Sequence, residues 1–258
     1  ANGSPHLFLE GGPTYDRIQI ESNISAAHLT FQLELNGTEI IDITGTRILE
    51  DAAYMTNAPT NNFYQLNFED INMRLAEVQA LTGLPTFAND RIKLTAKIGA
   101  TAVGSPFIRG TAITSPARER IWLPRIQTIT VPITKIGENN FAMERGSRPT
   151  EFRIRRAHLY GAISELRIMQ DDFKRYHMLA AENNADLVYH GKAPISGAFT
   201  FDPAPTNNGQ RDLFDSFSNK SLKAYITTTD ANDIEMIQYG VQQLYFGDEL
   251  IEKINAQR

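Results

Sequence analysis

The sequence contains no cysteine. This excludes a disulfide framework, a thiolate metal site and a cysteine nucleophile, and it is typical of a protein assembled in a reducing cytoplasm. Residues 1–6 show neither the basic nor the apolar segment of a signal peptide, so we expect no export signal. No apolar run approaches the roughly 20 residues needed to cross a bilayer. We therefore expect a soluble chain.

Catalytic motifs are lacking as well. The sequence has no Gly-x-Ser-x-Gly elbow, no phosphate-binding P-loop, no dinucleotide fingerprint and no His-Glu-x-x-His zinc helix. A glycosidase needs two carboxyl groups set across a sugar ring. Adjacent acids such as Asp171 and Asp172 are more typical of a helix start or a solvated turn. We therefore predict that the protein is not an enzyme, and a β-sandwich hydrolase is the least favoured class.

A net positive charge is also absent. The chain carries −5, which argues against general or sequence-specific nucleic-acid binding, because neutralising phosphates needs a basic surface. The charge is uneven, since residues 109–156 hold nine Arg and one Lys against four Glu. The densest part of this stretch consists of Arg145, Arg148, Arg153, Arg155 and Arg156. Either the strand residues Arg153 and Arg155 alternate outward and are solvated, or this stretch faces another subunit or an anionic lipid surface.

Oxygen-rich side chains crowd one loop of the second half. Asp202, Asp212 and Asp215, together with Asn207 and Asn208, supply ligands of the kind that Ca²⁺ prefers. They lack the spacing of an EF-hand, and Asx-rich turns have the same composition. The three aspartates are candidates for a calcium site, and the sequence indicates no other cofactor.

Alternating apolar and polar residues are present in abundance. Residues 28–35 and 39–43 alternate on either side of Asn36 and Gly37, which predicts a hairpin with a tight turn. A short helical segment follows, with Ile48 on its buried face. We predict a further short helix over 71–78.

A longer helix is predicted over 172–188. Its acidic start suits the positive end of the helix dipole, and its buried face would hold Phe173, Tyr176, Ala180 and Leu187. Many short, evenly spaced strands with inserted helical passages indicate an all-β protein with minor helices, built as β-sandwiches of jelly-roll topology. The 258 residues are enough for two such units.

The order of these segments occurs twice. Four pairs of segments correspond: 17–20 with 125–129, 38–55 with 161–178, 91–98 with 222–229, and 105–113 with 235 onward. We therefore predict two tandem jelly rolls, a double jelly roll. The first covers residues 1–118, a linker covers 119–124, and the second covers 125–258.

This pattern resembles the double-jelly-roll major capsid proteins of tailless, membrane-containing icosahedral bacteriophages, the corticovirus-like branch in particular. The resemblance is carried by the size, the paired strand order and the strand–helix–strand passage of each half. In the first half that passage runs through residues 39–43, 49–51 and 63–66. In the second it runs through 165–168, the long helix, 189–192 and 195–199.

The resemblance implies a structural coat protein that forms homotrimers. Six jelly rolls would then make a pseudo-hexameric capsomer of an icosahedral virion that encloses a lipid membrane. The implied partners are neighbouring capsomers, minor capsid, vertex and membrane proteins, and possible contact with the internal membrane itself. The implied location is the capsid shell, with the host cytoplasm during assembly.

One alternative remains open. A β-sandwich that binds carbohydrate or a receptor, as a spike protein does, would have the same strand pattern. Such a module ordinarily needs a cluster of exposed aromatic side chains, whereas the nine tyrosines and one tryptophan of this chain are scattered.

Overall fold

The structure is a computed structural model that describes residues 3–57, 60, 62–68, 83–99, 106–143, 152–203, 205, 213–216, 220–244 and 252. The helix expected over 71–78 lies outside these residues. The first half contains β1 (His6–Leu9), β2 (Thr14–Ser22), β3 (Leu29–Leu35), β4 (Thr38–Thr44), α1 (Gly45–Tyr54), β5 (Phe63–Asn67), β6 (Leu84–Pro85), β7 (Ile92–Ile98) and β8 (Ile108–Ser115). The second contains β9 (Trp122–Val131), β10 (Gly137–Ala142), β11 (Phe152–Tyr160), β12 (Ile163–Gln170), β13 (Phe173–Leu179), α2 (Ala180–Tyr189), β14 (Ala198–Phe201), β15 (Phe214–Asp215), β16 (Leu222–Thr228) and β17 (Ile234–Gln243).

Each half folds into a sandwich of two sheets. In the first half, β1-β7-β3-β4 packs against β8-β2-β5, with the short β6 also paired to β2. In the second half, β10-β16-β12-β13 packs against β9-β17-β11-β14, with β15 also paired to β11. Alternate residues of each strand point between the sheets. Ile18 and Phe31 are buried in the first core, and Leu159 and Leu166 in the second.

The two sandwiches share one strand order, which is that of a jelly roll. By their positions in the sheets, β1 to β4 correspond to β10 to β13, α1 to α2, β5 and β6 to β14 and β15, and β7 and β8 to β16 and β17. β9 has no counterpart among the described residues of the first half. The predicted all-β double jelly roll with minor helices is therefore confirmed.

Two of the four sequence correspondences are wrong. The segment 17–20 lies in β2, whose counterpart is β11 and not the 125–129 segment of β9. Likewise 38–44 forms β4, whose counterpart is β13 and not β12. The pairs β7 with β16 and β8 with β17 are confirmed. Short alternating strands look alike in sequence, and only their hydrogen-bonded neighbours distinguish them.

The hairpin between β3 and β4 has the predicted turn. Asn36 and Gly37 have φ of 52° and 81°, the left-handed values that this two-residue turn requires. Asp171 and Asp172 form a second such turn and not the expected helix start: they have φ of 50° and 77° and join β12 to β13. The helix expected over 172–188 is therefore wrong in its first part, and Phe173, expected to be buried, is 74% exposed.

The two jelly rolls lie side by side. Among the described strands, one sheet of each half joins the other in a continuous nine-stranded sheet through a single parallel pair, Ile41 of β4 with Ile126 of β9. β8 ends at Ser115 and β9 begins at Trp122, so the last residues of the expected linker belong to a strand. Among the described helices, none has the length and apolar character required to cross a membrane.

Candidate functional site at the junction of the two jelly rolls

Helix α1 of the first jelly roll lies on the outer face of the β9-β17-β11-β14 sheet of the second. It follows β4 directly, and the side chain of Thr44 caps its first turn by accepting a hydrogen bond from the Arg47 amide, 3.4 Å away. Nine of its ten residues are buried or half-buried. A surface helix with one face on its own sandwich would expose far more, so its second face is covered by the neighbouring jelly roll.

Asp51 is the central polar contact of this junction. Its two carboxylate oxygens accept hydrogen bonds from Nε and Nη2 of Arg156 on β11, both at 2.7 Å. Oδ1 also lies 3.1 Å from Nε2 of His158, whose Nδ1 lies 2.9 Å from the Thr200 hydroxyl. The Arg156 and His158 side chains are 7% and 0% exposed. A two-point contact of this kind fixes orientation as well as distance.

The pKa of the Asp51 carboxyl is held well below its usual range. Burial by itself would raise this pKa, but the charge of Arg156 and the hydrogen bonds from His158 and Arg156 outweigh it. Asp51 is therefore ionised at neutral pH. Its negative charge compensates the buried guanidinium of Arg156.

Arg47 makes a second cross-junction contact. Its Nη2 and Nε lie 2.5 Å and 3.1 Å from a carboxylate oxygen of Glu235 on β17, and its Nη1 binds Glu50 on its own helix at 2.8 Å. The guanidinium also stacks over the ring of Tyr160, 3.4 Å from its centre. Burial would lower the pKa of Arg47, yet the hydrogen bonds to Glu235 and Glu50 raise it.

Tyr54 closes the end of the helix. Its ring is fully buried and meets the His158 ring edge-on, 5.1 Å between centres. Its hydroxyl donates a hydrogen bond of 2.5 Å to Asp202, just after β14. Burial, and then the charge of Asp202, raise the pKa of the Tyr54 hydroxyl, so it remains a donor.

Apolar contact surrounds these polar groups. Ile126, Ile237 and Tyr239 lie on strands of the second jelly roll but belong to the hydrophobic core of the first. Burying them strengthens the electrostatic contacts beside them, because water is excluded. The junction therefore holds the two jelly rolls in one orientation.

The predicted arginine patch is divided by the structure. Arg145 and Arg148 lie outside the described residues. Arg153 stacks over the Trp122 ring at 4.9 Å, Arg155 is 7% exposed, and Arg156 binds Asp51. The suggestion that Arg155 is a solvated strand residue is wrong, because a bulge between Ile154 and Arg156 interrupts the alternation. That this stretch meets another subunit or a lipid surface stays a prediction.

The calcium candidates Asp202 and Asp215 contact different residues. Asp202 accepts the Tyr54 hydroxyl, Asp215 lies in β15 opposite Arg153, and Asp212 is outside the described residues. In the part of the chain that is described, no three acidic or histidine side chains form a group that could hold a metal ion. A calcium site here stays a prediction.

Sequence reasoning did not identify Arg47, Asp51 or Tyr54. All three lie on α1, and each binds a residue more than a hundred positions away. One local signal was available: α1 carries the charged residues Arg47, Glu50 and Asp51 although it lies between two strands of the core. Local pattern cannot identify their partners.

Comparison with known proteins gives the family. The chain matches the model of the viral coat protein P2 N-terminal domain over residues 1–115 and that of the P2 C-terminal domain over 123–244. No curated protein sequence matches the chain significantly.

Solved structures of virus capsid proteins share the fold. The major capsid protein P2 from bacteriophage PM2 is 18% identical, with a TM-score of 0.85 over 96% of this chain and 94% of that one. Sulfolobus Turreted Icosahedral Virus contains a chain that is 12% identical, with a TM-score of 0.68 over 98% and 89%. The PBCV-1 virus capsid gives 10% identity and a TM-score of 0.56 over 96% and 97%. These results favour the coat over the carbohydrate- or receptor-binding alternative. Since the two family models together cover both jelly rolls, the chain belongs to the viral coat protein P2 family.

Proposed function

We propose that three copies of this coat protein form one capsomer, in which six jelly rolls make a pseudo-hexameric tile of an icosahedral shell. The observation that carries the proposal is the junction itself. Two jelly rolls of the same strand order are held side by side within one chain by α1. A closed three-fold ring of such pairs presents six similar wedges to its surroundings.

Six similar wedges suit the packing of a shell. A tile with near six-fold shape can meet six neighbours through similar contacts on a flat facet. The rigid Asp51–Arg156 and Arg47–Glu235 contacts support this, since they keep the two wedges of one chain at a constant angle. The first wedge ends before residues 116–121 and the second begins after them.

The remaining parts of the proposal follow from the resemblance to membrane-containing phages. The capsomers contact one another, minor capsid and vertex proteins, and the membrane inside the shell, with the arginine-rich stretch as one candidate contact. The subunit acts structurally rather than as an enzyme. Assembly takes place in the host cytoplasm before the protein enters the virion shell.

Light scattering coupled to size-exclusion chromatography tests the stoichiometry. We expect a particle of about three times 28.9 kDa, and electron microscopy of the same fraction should show six-lobed tiles. A monomer or dimer at every concentration tried, without six-lobed particles, would contradict the trimer. A monomer that retains glycan binding would instead support the binding-module alternative.

A further inference from the structure

The two helices occupy the same position in their jelly rolls but differ in what covers them. In α1, nine of ten residues are buried or half-buried, whereas six of the ten residues of α2 are exposed. The sheet that α1 covers also has a counterpart, β8-β2-β5 of the first jelly roll, and β8 is exposed along nearly its whole length. Among the described residues, α2 and the outer face of the β8-β2-β5 sheet therefore lack the cover that α1 and the β9-β17-β11-β14 sheet have.

We propose that α2 of one copy docks on the outer face of the β8-β2-β5 sheet of a second copy. The contact repeats between copies the one that α1 makes within the chain. This inference rests on the proposed trimer and specifies the surfaces that form it. It predicts which side chains meet, because both the helices and the sheets can be superimposed residue by residue.

The helices align at a constant offset. β4 and β13 begin 135 residues apart (173 − 38), as do α1 and α2 (180 − 45). At this offset Asp51 corresponds to Asp186, and Tyr54 corresponds to Tyr189. The Asp186 side chain is 41% exposed, against 16% for Asp51.

The sheets align through an independent set of landmarks. β2 has a register shift against β8 between Tyr15 and Arg17, and β11 has one against β17 between Ile154 and Arg156. Just before this shift, β2 pairs with the short β6, as β11 pairs with the short β15. Both landmarks make Arg17 the counterpart of Arg156.

The first resulting contact joins Asp186 to Arg17 of the second copy. It has the same chemistry as Asp51 with Arg156. Nε of Arg17 is buried and has no hydrogen-bond partner among the described residues. A buried donor without an acceptor is costly, and the carboxylate of an incoming Asp186 would satisfy it.

In the second contact the signs of the two charges are reversed, with the acid on the helix and the base on the sheet. Glu182 is the counterpart of Arg47 at the same helix offset. Glu235 pairs with Tyr160 as Arg109 pairs with Glu21, so Arg109 is the counterpart of Glu235. The pair Arg47–Glu235 thus becomes Glu182–Arg109, with opposite charges facing each other again. The Arg109 side chain is 75% exposed, and its contact with Glu21 is long, 3.4 Å.

The third contact is apolar. Tyr54 meets the His158 ring, against which Tyr239 also packs. Tyr189 would therefore lie over Gln19 and beside Ile113. Tyr189 is 84% exposed, although its counterpart Tyr54 is fully buried. Ile113 on β8 is 41% exposed, although its counterpart Tyr239 on β17 is 3% exposed. Large exposed apolar side chains on two surfaces that are complementary in charge mark an interaction site.

The geometry of the contact explains why a ring closes. The helix and the sheet face are different surfaces, so the contact is head-to-tail. Such contacts form open filaments unless the rotation from one unit to the next closes a circle. In the proposed contact, the rotation from one jelly roll to the next is similar within a copy and between copies. Three copies then give six nearly equal rotations, and the ring closes.

Charge-swap variants test the Asp186–Arg17 contact. We expect Asp186→Arg and Arg17→Glu each to weaken the trimer, with the trimer dissociating at a protein concentration at least about tenfold higher than the parent, measured by analytical ultracentrifugation. The double variant carries the pair in reverse and should restore the trimer. Lys223→Glu is the matched control, since Lys223 is exposed on β16 and lies outside the contact.

A second variant distinguishes a weakened trimer contact from a loss of folding. Tyr189→Asp changes a side chain that is almost fully exposed in the single chain, so the monomer should fold with its circular dichroism unchanged while the trimer is weakened. If the parent is a trimer and the variants are equally stable trimers, the contact is wrong and the proposed function stands. If the single variants dissociate and the double variant does not recover, the Asp186–Arg17 pairing is wrong. A parent that never forms trimers overturns both.

Discussion

Asp51 and Arg156 lie 105 residues apart and form a two-point ion pair across the junction of the two jelly rolls. Asp51 comes from the helix that follows β4, and Arg156 from the central strand of the neighbouring sandwich. The pair therefore links the two duplicated units rather than stabilising either one.

Removing the Asp51 charge should destabilise the protein. In Asp51→Asn the guanidinium of Arg156 stays buried without its carboxylate, and breaking a buried pair in this way costs roughly 3–5 kcal/mol. Guanidinium denaturation at one fixed protein concentration measures the free energy of unfolding. Asp172→Asn, at an exposed position, is the control and should change it by less than about 0.5 kcal/mol. A loss below about 1 kcal/mol for Asp51→Asn would show that the pair contributes little.

Stability should fall in acid partly through Asp51. The folded-state pKa of Asp51 lies below its unfolded value, so its contribution is complete above the unfolded pKa of about 3.9 and is lost as the pH falls toward the folded pKa. The difference in melting temperature between the parent and Asp51→Asn should therefore be largest near neutrality and should shrink progressively as the pH falls below about 4. Parallel curves across this range would exclude Asp51 as the titrating group.

The Tyr54 hydroxyl should matter more than that of Tyr189. Tyr54→Phe removes a hydrogen bond to the charged Asp202 at a buried site, which costs about 1.5–3 kcal/mol. Tyr189→Phe alters an exposed hydroxyl and should leave the stability of the single chain unchanged. The measurement is the free energy of unfolding of each variant relative to the parent. Equal losses in the two variants would contradict the structure.

The turn between β3 and β4 should reject a side chain for backbone reasons alone. Gly37 has φ of +81°, and a Cβ at this position would meet no atom within 4 Å. Gly37→Ala should therefore lose about 1–2 kcal/mol through the left-handed backbone. Gly99→Ala is the control, since its Cβ would make ordinary contacts at 3.6 Å and its φ is not left-handed. Thermal melts of both variants provide the comparison.

The alternation of residues and the turn at Asn36 and Gly37 could be predicted because both depend on neighbours along the chain. The same reasoning misjudged Asp171 and Asp172. Acidic residues suit a helix start and also tolerate the left-handed turn that they form here. The apolar spacing of Phe173, Tyr176 and Ala180 fits a helix, and yet β13 pairs with β12 over this stretch.

The repeat was visible in the sequence, but its alignment was not. Strands with alternating residues are interchangeable in pattern, and β2 resembles β9 in sequence although it occupies the position of β11. The register shift beside Arg17 and Arg156, which identifies the counterparts, is a property of strand pairing and leaves no local trace.

By itself the sequence determined what is local: an all-β chain, its hairpin turn, and two units of similar strand pattern. The family resemblance rested on the same features. Only the tertiary structure decided which strands are equivalent, that Asp51 meets Arg156, and that α1 is covered while α2 is exposed. Those relations join residues far apart in the chain, and these residues come together only when the intervening strands have paired in their sheets.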